Sequence, residues 1–154
     1  MIQNIALTNV QQKNGKKEEK VKLKTQFDFD SAHRLVGYDG KCQRLHGHMW
    51  VVELEIEGYE LDEVGMLWDF TNVKKVREMF DHKTILKYCE ENKELIKVLQ
   101  KVCGKDSVYI MDNNPTAEFL ANEILTLLCR DCKTNLTFGV RVFESPKSSG
   151  EVRS

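Results

Sequence analysis

An α+β fold, with an antiparallel sheet and helices packed on one face of it, is predicted by three features of the sequence. Apolar and polar side chains alternate with a period of two from Val21 to His33 and again from Leu136 to Val142, so strands stand at both ends of the patterned region. Between them lie three segments whose apolar residues recur at helical spacing. The chain has 154 residues, a length that suits one domain built on one core.

Each element follows from a local pattern. Residues 1–20 end in a polar, charged stretch without periodicity and are expected to be a flexible arm before a single domain spanning 21–154. Val21, Leu23, Thr25, Phe27, Phe29, Ser31 and His33 then share one face of a half-buried strand. A glycine-containing loop over 36–41 separates it from a second strand, His46 to Glu57, closed by Gly58. Phe70, Val73, Val76 and Phe80 predict a first helix over 69–80, with Asp69 or Thr71 as cap. Leu95, Val98, Leu99 and Val102 predict a second over 91–103, stopped by Gly104. A third is announced by Asn114-Pro115-Thr116 ahead of Phe119, Leu120, Ile124, Leu127 and Leu128. The last strand, Leu136 to Val142, delivers Glu144 at its end.

Composition narrows the function. The formal net charge of -1, with both signs interspersed, supplies no field for a nucleic-acid backbone or an anionic membrane, so neither partner is expected. No apolar run approaches the roughly 20 residues of a membrane helix, and the first twenty residues lack the apolar core of a secretory signal. A cytoplasmic location is expected, and the five cysteines are expected to be reduced thiols. Cys129 and Cys132 form only half of a metal-binding motif and read as structural thiols.

The chemistry concentrates in a few residues. Of four histidines, three fall within sixteen positions: His33, His46 and His48. Alternate residues of a strand share a face, so His46 and His48 can converge on one ion, with His33 contributing from the neighbouring strand. Three imidazoles with an open fourth position suit catalytic zinc. Gly47 between them fits a place where backbone or ligand comes close. Cys42, four residues before His46 and flanked by Lys41 and Arg44, is placed either to act as a thiolate base or to fill the fourth metal position, and spacing does not separate the two. Asp81-His82 holds the remaining histidine and could move a proton, although such a pair is also a common helix-end feature. Glu144 shares the face of four apolar strand residues and so needs a hydrogen-bonding partner, unless the strand has already left the core.

These residues resemble the 6-pyruvoyl-tetrahydropterin synthase family, and within it the 6-carboxy-tetrahydropterin synthase branch that serves queuosine-type deazapurine synthesis. Phe29-Asp30-Ser31-Ala32-His33-Arg34-Leu35 resembles the first zinc segment, and Cys42-Gln43-Arg44-Leu45-His46-Gly47-His48 the second. Gly65 to Phe70, Asp81-His82-Lys83, Asn114 to Glu118 and Val142-Phe143-Glu144 follow in the family's order. The resemblance implies a T-fold whose subunits join sheet edges into a barrel, commonly a homo-oligomer of two stacked trimers. It implies Zn2+ on His33, His46 and His48, Cys42 as the base toward a pterin triphosphate substrate, and Asp81 with His82 as proton relay. Glu144 is implied as the anchor of the pterin ring, with Thr116 and Glu118 as its neighbours. The three-residue gap between Cys42 and His46 is similar to the carboxy branch; the pyruvoyl product and a non-catalytic zinc or pterin-binding protein are the alternatives. Trp50, Phe80 and the tail 145–154 depart from the pattern, and Lys87 to Asp112 reads as a variable insertion.

Overall fold

The computed structural model describes residues 19–130, 132 and 135–154; the arm expected over 1–20 lies, apart from Glu19 and Lys20, outside them. Two long strands, β1 (Val21–His33) and β2 (His46–Gly58), form the centre. They pair antiparallel along their whole length, in a register that sets Phe27 opposite Val52, Phe29 opposite Trp50, Ser31 opposite His48 and His33 opposite His46. Alternation therefore puts all these side chains on one face, buried for its apolar members. Next come α1 (Asn72–Phe80), β3 (Lys83–Lys87), α2 (Glu90–Cys103), β4 (Val108–Met111), α3 (Ala117–Arg130), β5 (Thr137–Ser145) and β6 (Ser148–Arg153). Among the described residues six strands make one sheet in the order β4-β3-β1-β2-β5-β6.

The sheet is mixed. The expected antiparallel pairing holds for β1, β2, β5 and β6, whereas β3 and β4 join in parallel, β3 on β1 and β4 on β3. The segment 87–112, expected as a variable insertion, carries α2 and β4 and so provides the helical crossover that a parallel pair requires. Its strands are too short, at five and four residues, to carry a readable period. The tail likewise contains β6, whose Ser-Ser-Gly-Glu-Val-Arg sequence has no apolar alternation and takes its structure from β5.

The core lies between the sheet and two helices. Phe29, Trp50, Val52, Ile56, Phe138 and Val140 from the sheet meet Val76 and Phe80 of α1 and Leu120, Ala121 and Ile124 of α3. Phe80 stacks on Phe29 at 5.4 Å between centroids. α2 stands apart: Leu86, next to core residue Ile85 on β3, is fully buried, as is most of Ile96, and neither belongs to that main cluster. Two apolar stripes differ from expectation. Phe70 is exposed and α1 starts two residues after it, because Asp69 caps the preceding turn through Thr71 N–H at 2.8 Å. In α2 the buried positions are Asn92 and Ile96, and Val98 and Val102 face outward. Gly104 ends α2 at φ 101°, a conformation that suits glycine. No helix among the described residues is long and apolar enough to cross a membrane.

Candidate metal centre and active site

The paired ends of β1 and β2 build the site. Because His33 faces His46 directly and His48 lies one same-face step along, the three rings pack at centroid distances of 4.5, 5.1 and 4.9 Å. Their orientation is set from behind. His33 is fully buried, and its Nδ1–H donates to the Pro115 carbonyl at 2.8 Å. His46 Nδ1–H donates to the Arg44 carbonyl at 2.7 Å. A ring that gives Nδ1–H to a carbonyl turns a bare Nε2 forward, the usual way a protein presents a histidine to a metal. The two Nε2 atoms stand 3.1 Å apart. Burial, reinforced by the neighbouring imidazoles and only partly opposed by the Pro115 bond, lowers the His33 pKa to about 4, so the ring is neutral and ligand-ready. Burial also lowers that of His48.

Glu144 reaches the same point. One oxygen, Oε1, lies 3.5 Å from His33 Nε2 and 3.4 Å from His48 Nε2. The donor atoms of His33, His46, His48 and Glu144 all fall within 4.8 Å of one another. His48 Nε2 is buried without a hydrogen-bond partner among the described residues. This set fits zinc: bonds of about 2.0–2.1 Å to nitrogen in a tetrahedral site put ligand atoms roughly 3.3 Å apart, close to the separations found here. A Cβ at Gly47 would make only ordinary contacts with the chain's own backbone, 3.5 Å from the Ser31 carbonyl oxygen.

The other expected residues surround this point. Cys42 sits half-buried in a short 3-10 turn over Lys41–Gln43, tied to the end of β1 by the bond from Leu35 N–H to its carbonyl at 2.9 Å. It is not part of the converging donor set. Asp81 and His82 form a pair, His82 Nδ1 lying 3.1 Å from Asp81 Oδ1. That carboxylate also accepts from the Asp30 N–H and meets Arg77 at 3.1 Å. Burial works against the charge, but these hydrogen bonds and the guanidinium hold the Asp81 pKa below its usual range. His82 adopts φ 58°, a left-handed backbone sparsely populated by non-glycine residues. It opens onto a recess of about 500 Å3 that also touches Gly47 and His48. Thr116 Oγ1 accepts from Phe119 N–H at 3.4 Å, and Glu118 is exposed in the first turn of α3. Neither residue is in the converging donor set or lines the recesses beside it; Thr116 follows Pro115, whose carbonyl meets His33, directly in sequence.

Three contributors were not anticipated. The Pro115 carbonyl orients His33; Asn114, expected as a helix cap, instead exchanges hydrogen bonds with Val36 N–H and C=O at 2.9 and 2.8 Å, holding the loop that carries Cys42. Arg77 braces Asp81, and its spacing of four within a helical pattern was the one signal available.

A fold of this kind with an imidazole cluster at the strand ends that could hold a metal ion defines a class of small enzymes, and comparison with known proteins specifies which. The sequence model for 6-pyruvoyl tetrahydropterin synthase matches residues 22–154, and the chain belongs to that family. A 6-carboxy-5,6,7,8-tetrahydropterin synthase of Rickettsia bellii is 38% identical over 141 residues, covering 86% of this chain and 99% of the relative. The protein of the same name from Haemophilus influenzae is 33% identical, covering 82% and 94%. Among solved structures, an uncharacterized protein from Wolinella succinogenes superposes with a TM-score of 0.69 at 21% identity, covering 87% of this chain and 98% of that one. The 6-pyruvoyl tetrahydropterin synthase of Plasmodium falciparum does so at 0.64 and 21%, covering 88% and 98%. These likenesses establish the T-fold.

Proposed function

We propose that the protein is a zinc-dependent lyase that converts 7,8-dihydroneopterin triphosphate to 6-carboxy-5,6,7,8-tetrahydropterin, in the cytoplasm and in the service of queuosine-type deazapurine synthesis. The observation that carries this reading is the convergence of three Nε2 atoms beside a half-buried cysteine. The names of relatives at 33–38% identity over most of their length favour the carboxy branch. His33, His46 and His48 hold the ion, which when bound supplies Lewis-acid polarisation to the oxygens of the substrate side chain. Cys42 takes a proton from that side chain, its place outside the donor set leaving the thiol free to act as base. Asp81 orients His82 for proton transfer through the 3.1 Å contact.

The pterin ring occupies the recess of about 610 Å3 lined by His48, Met49, Phe143, Glu144 and Pro146, a size within the range of small-molecule sites. Glu144 accepts from the ring N–H donors, with Thr116 and Glu118 nearby. Copies of the chain assemble edge to edge through β4 and β6, the two edge strands of the sheet among the described residues, in a hexamer of two trimers. Mass analysis of products from zinc-loaded protein tests the assignment. A carboxytetrahydropterin that disappears in Cys42→Ala, with zinc content unchanged, is expected. A pyruvoyl product would move the chain to the other branch, and loss of zinc from the variant would make Cys42 a ligand.

A further inference from the structure

Steps of one, three and four residues put Lys75, Val76 and Met79 on one face of α1, and that face borders a cleft against the end of α3. Val76 of α1 with Leu127 and Leu128 of α3 gives the cleft a lining of buried core residues, and Trp68 is one of its walls. Trp68 is fixed by edge-to-face packing on Phe138 and Phe70, at 6.0 and 6.3 Å between ring centroids, so the wall stands before any ligand arrives. The space is about 180 Å3, a little more than the roughly 150 Å3 of an apolar cavity that takes up benzene. A single ring fits it. The mouth carries two cations, Lys75 and Arg130, and no carboxylate lines the cleft among the described residues. The other cations of α1 are paired, Lys74 with Glu78 and Arg77 with Asp81, whereas Lys75 and Arg130 have no such pair among the described residues. Asp69, before the helix, accepts from Thr71 N–H at 2.8 Å and does not line the cleft. The metal centre is remote: Phe138 pairs with Ile56, eight residues along β2 from His48, about 26 Å at 3.3 Å per residue.

We propose that the cleft between α1 and α3 is a binding site for a small aromatic anion, a single apolar ring bearing one carboxylate or phosphate group. The ring lies against Trp68, Val76 and the two leucines, where the area taken from water supplies affinity. The anionic group meets the ammonium of Lys75 and the guanidinium of Arg130 at the mouth, where charge-assisted hydrogen bonds give direction. A neutral ring satisfies only the floor, and a bare anion only the mouth. The site owes nothing to the synthase reading and stands or falls by itself.

Benzoate and phenyl phosphate are the probes, applied to the full chain loaded with Zn2+. The chain has two tryptophans, and Trp50 is fully buried against His33 and His48, so the two indole N–H resonances report separately on the cleft and on the metal centre. Trp68→Phe assigns them. At least one probe is expected to shift the Trp68 resonance saturably and leave that of Trp50 in place, with a Kd on the order of a millimolar, the scale that a ligand of so few heavy atoms reaches. The tighter of the two identifies the anionic group. Benzyl alcohol, acetate and inorganic phosphate are each expected to bind at least about tenfold more weakly. Replacing both cations, Lys75→Gln with Arg130→Gln, changes two exposed positions and is expected to weaken the better probe by about tenfold or more while leaving benzyl alcohol unchanged. The proposal is overturned if neither probe shifts Trp68 saturably, if the shift falls on Trp50 instead, if benzyl alcohol or the bare anions bind as well as the probes, or if the double variant, folded by its circular dichroism, keeps full affinity.

Discussion

The imidazoles owe their usefulness to groups that are not ligands. His33 presents Nε2 because a proline carbonyl 82 positions away takes its other proton, and that carbonyl is held by the turn into α3. Asn114 ties the same turn to the loop after β1 through two hydrogen bonds to Val36. Replacing Asn114 with alanine leaves both Val36 backbone groups without their partner. The expected cost is about 1–3 kcal/mol of stability, read as a lower urea midpoint, together with a fall in zinc affinity on the order of tenfold. An unchanged midpoint with unchanged affinity would show that the loop is held by other means. The convergence of His33, His46 and His48 was legible from parity and spacing. Their orienting partners were not, because a backbone carbonyl carries no sequence signal.

At the level of elements, close packing sets the limits. α3 rests on β6 where Gly150 lies beneath its first turn; a Cβ at that position would stand 2.7 Å from Glu118 N and 2.9 Å from Ala117 C. Both are backbone atoms of a helix start and cannot turn aside. Gly150→Ala is expected to destabilise the protein by about 1–3 kcal/mol, a drop of several degrees in melting temperature. An unaltered melt would mean that β6 shifts away from the helix at little cost. This contact also bears on the site, since it fixes α3, and therefore Pro115, relative to the hairpin that carries Glu144. Helix existence was readable for all three helices. Burial in α2 was not, because a helix with apolar residues at 95, 96, 98, 99 and 102 offers more than one stripe, and only the position of β3 and β4 selects the face with Asn92 and Ile96.

Over the whole molecule, the sheet face opposite the core is charged. Lys20, Lys22, Lys24 and Arg153 surround Glu55 and Glu57. Hydrogen bonds from the lysines lower the pKa of each carboxyl to about 2, from 4.5. Between those values the unfolded chain binds more protons than the folded one, so stability rises with pH across that window. The contribution is complete above about pH 4.5 and is lost as pH falls toward 2. A series of urea midpoints against pH is expected to show this decline, weakened by salt because the lysine partners lie at the surface. In Glu55→Gln with Glu57→Gln the decline is expected to flatten. An unflattened curve would assign the acid sensitivity to other carboxylates.

The sequence by itself determined the central strands, the three helices, the shared face of His33, His46 and His48, and the family, because these depend on local period, caps and motif spacing. Only the tertiary structure decided that β3 and β4 join in parallel, that β6 exists, and that Glu144 meets the imidazoles. The reason is range: β3, β4 and β6 are held by pairing with distant strands rather than by their own pattern, and a single-residue bulge at the end of β5 turns Glu144 onto the site.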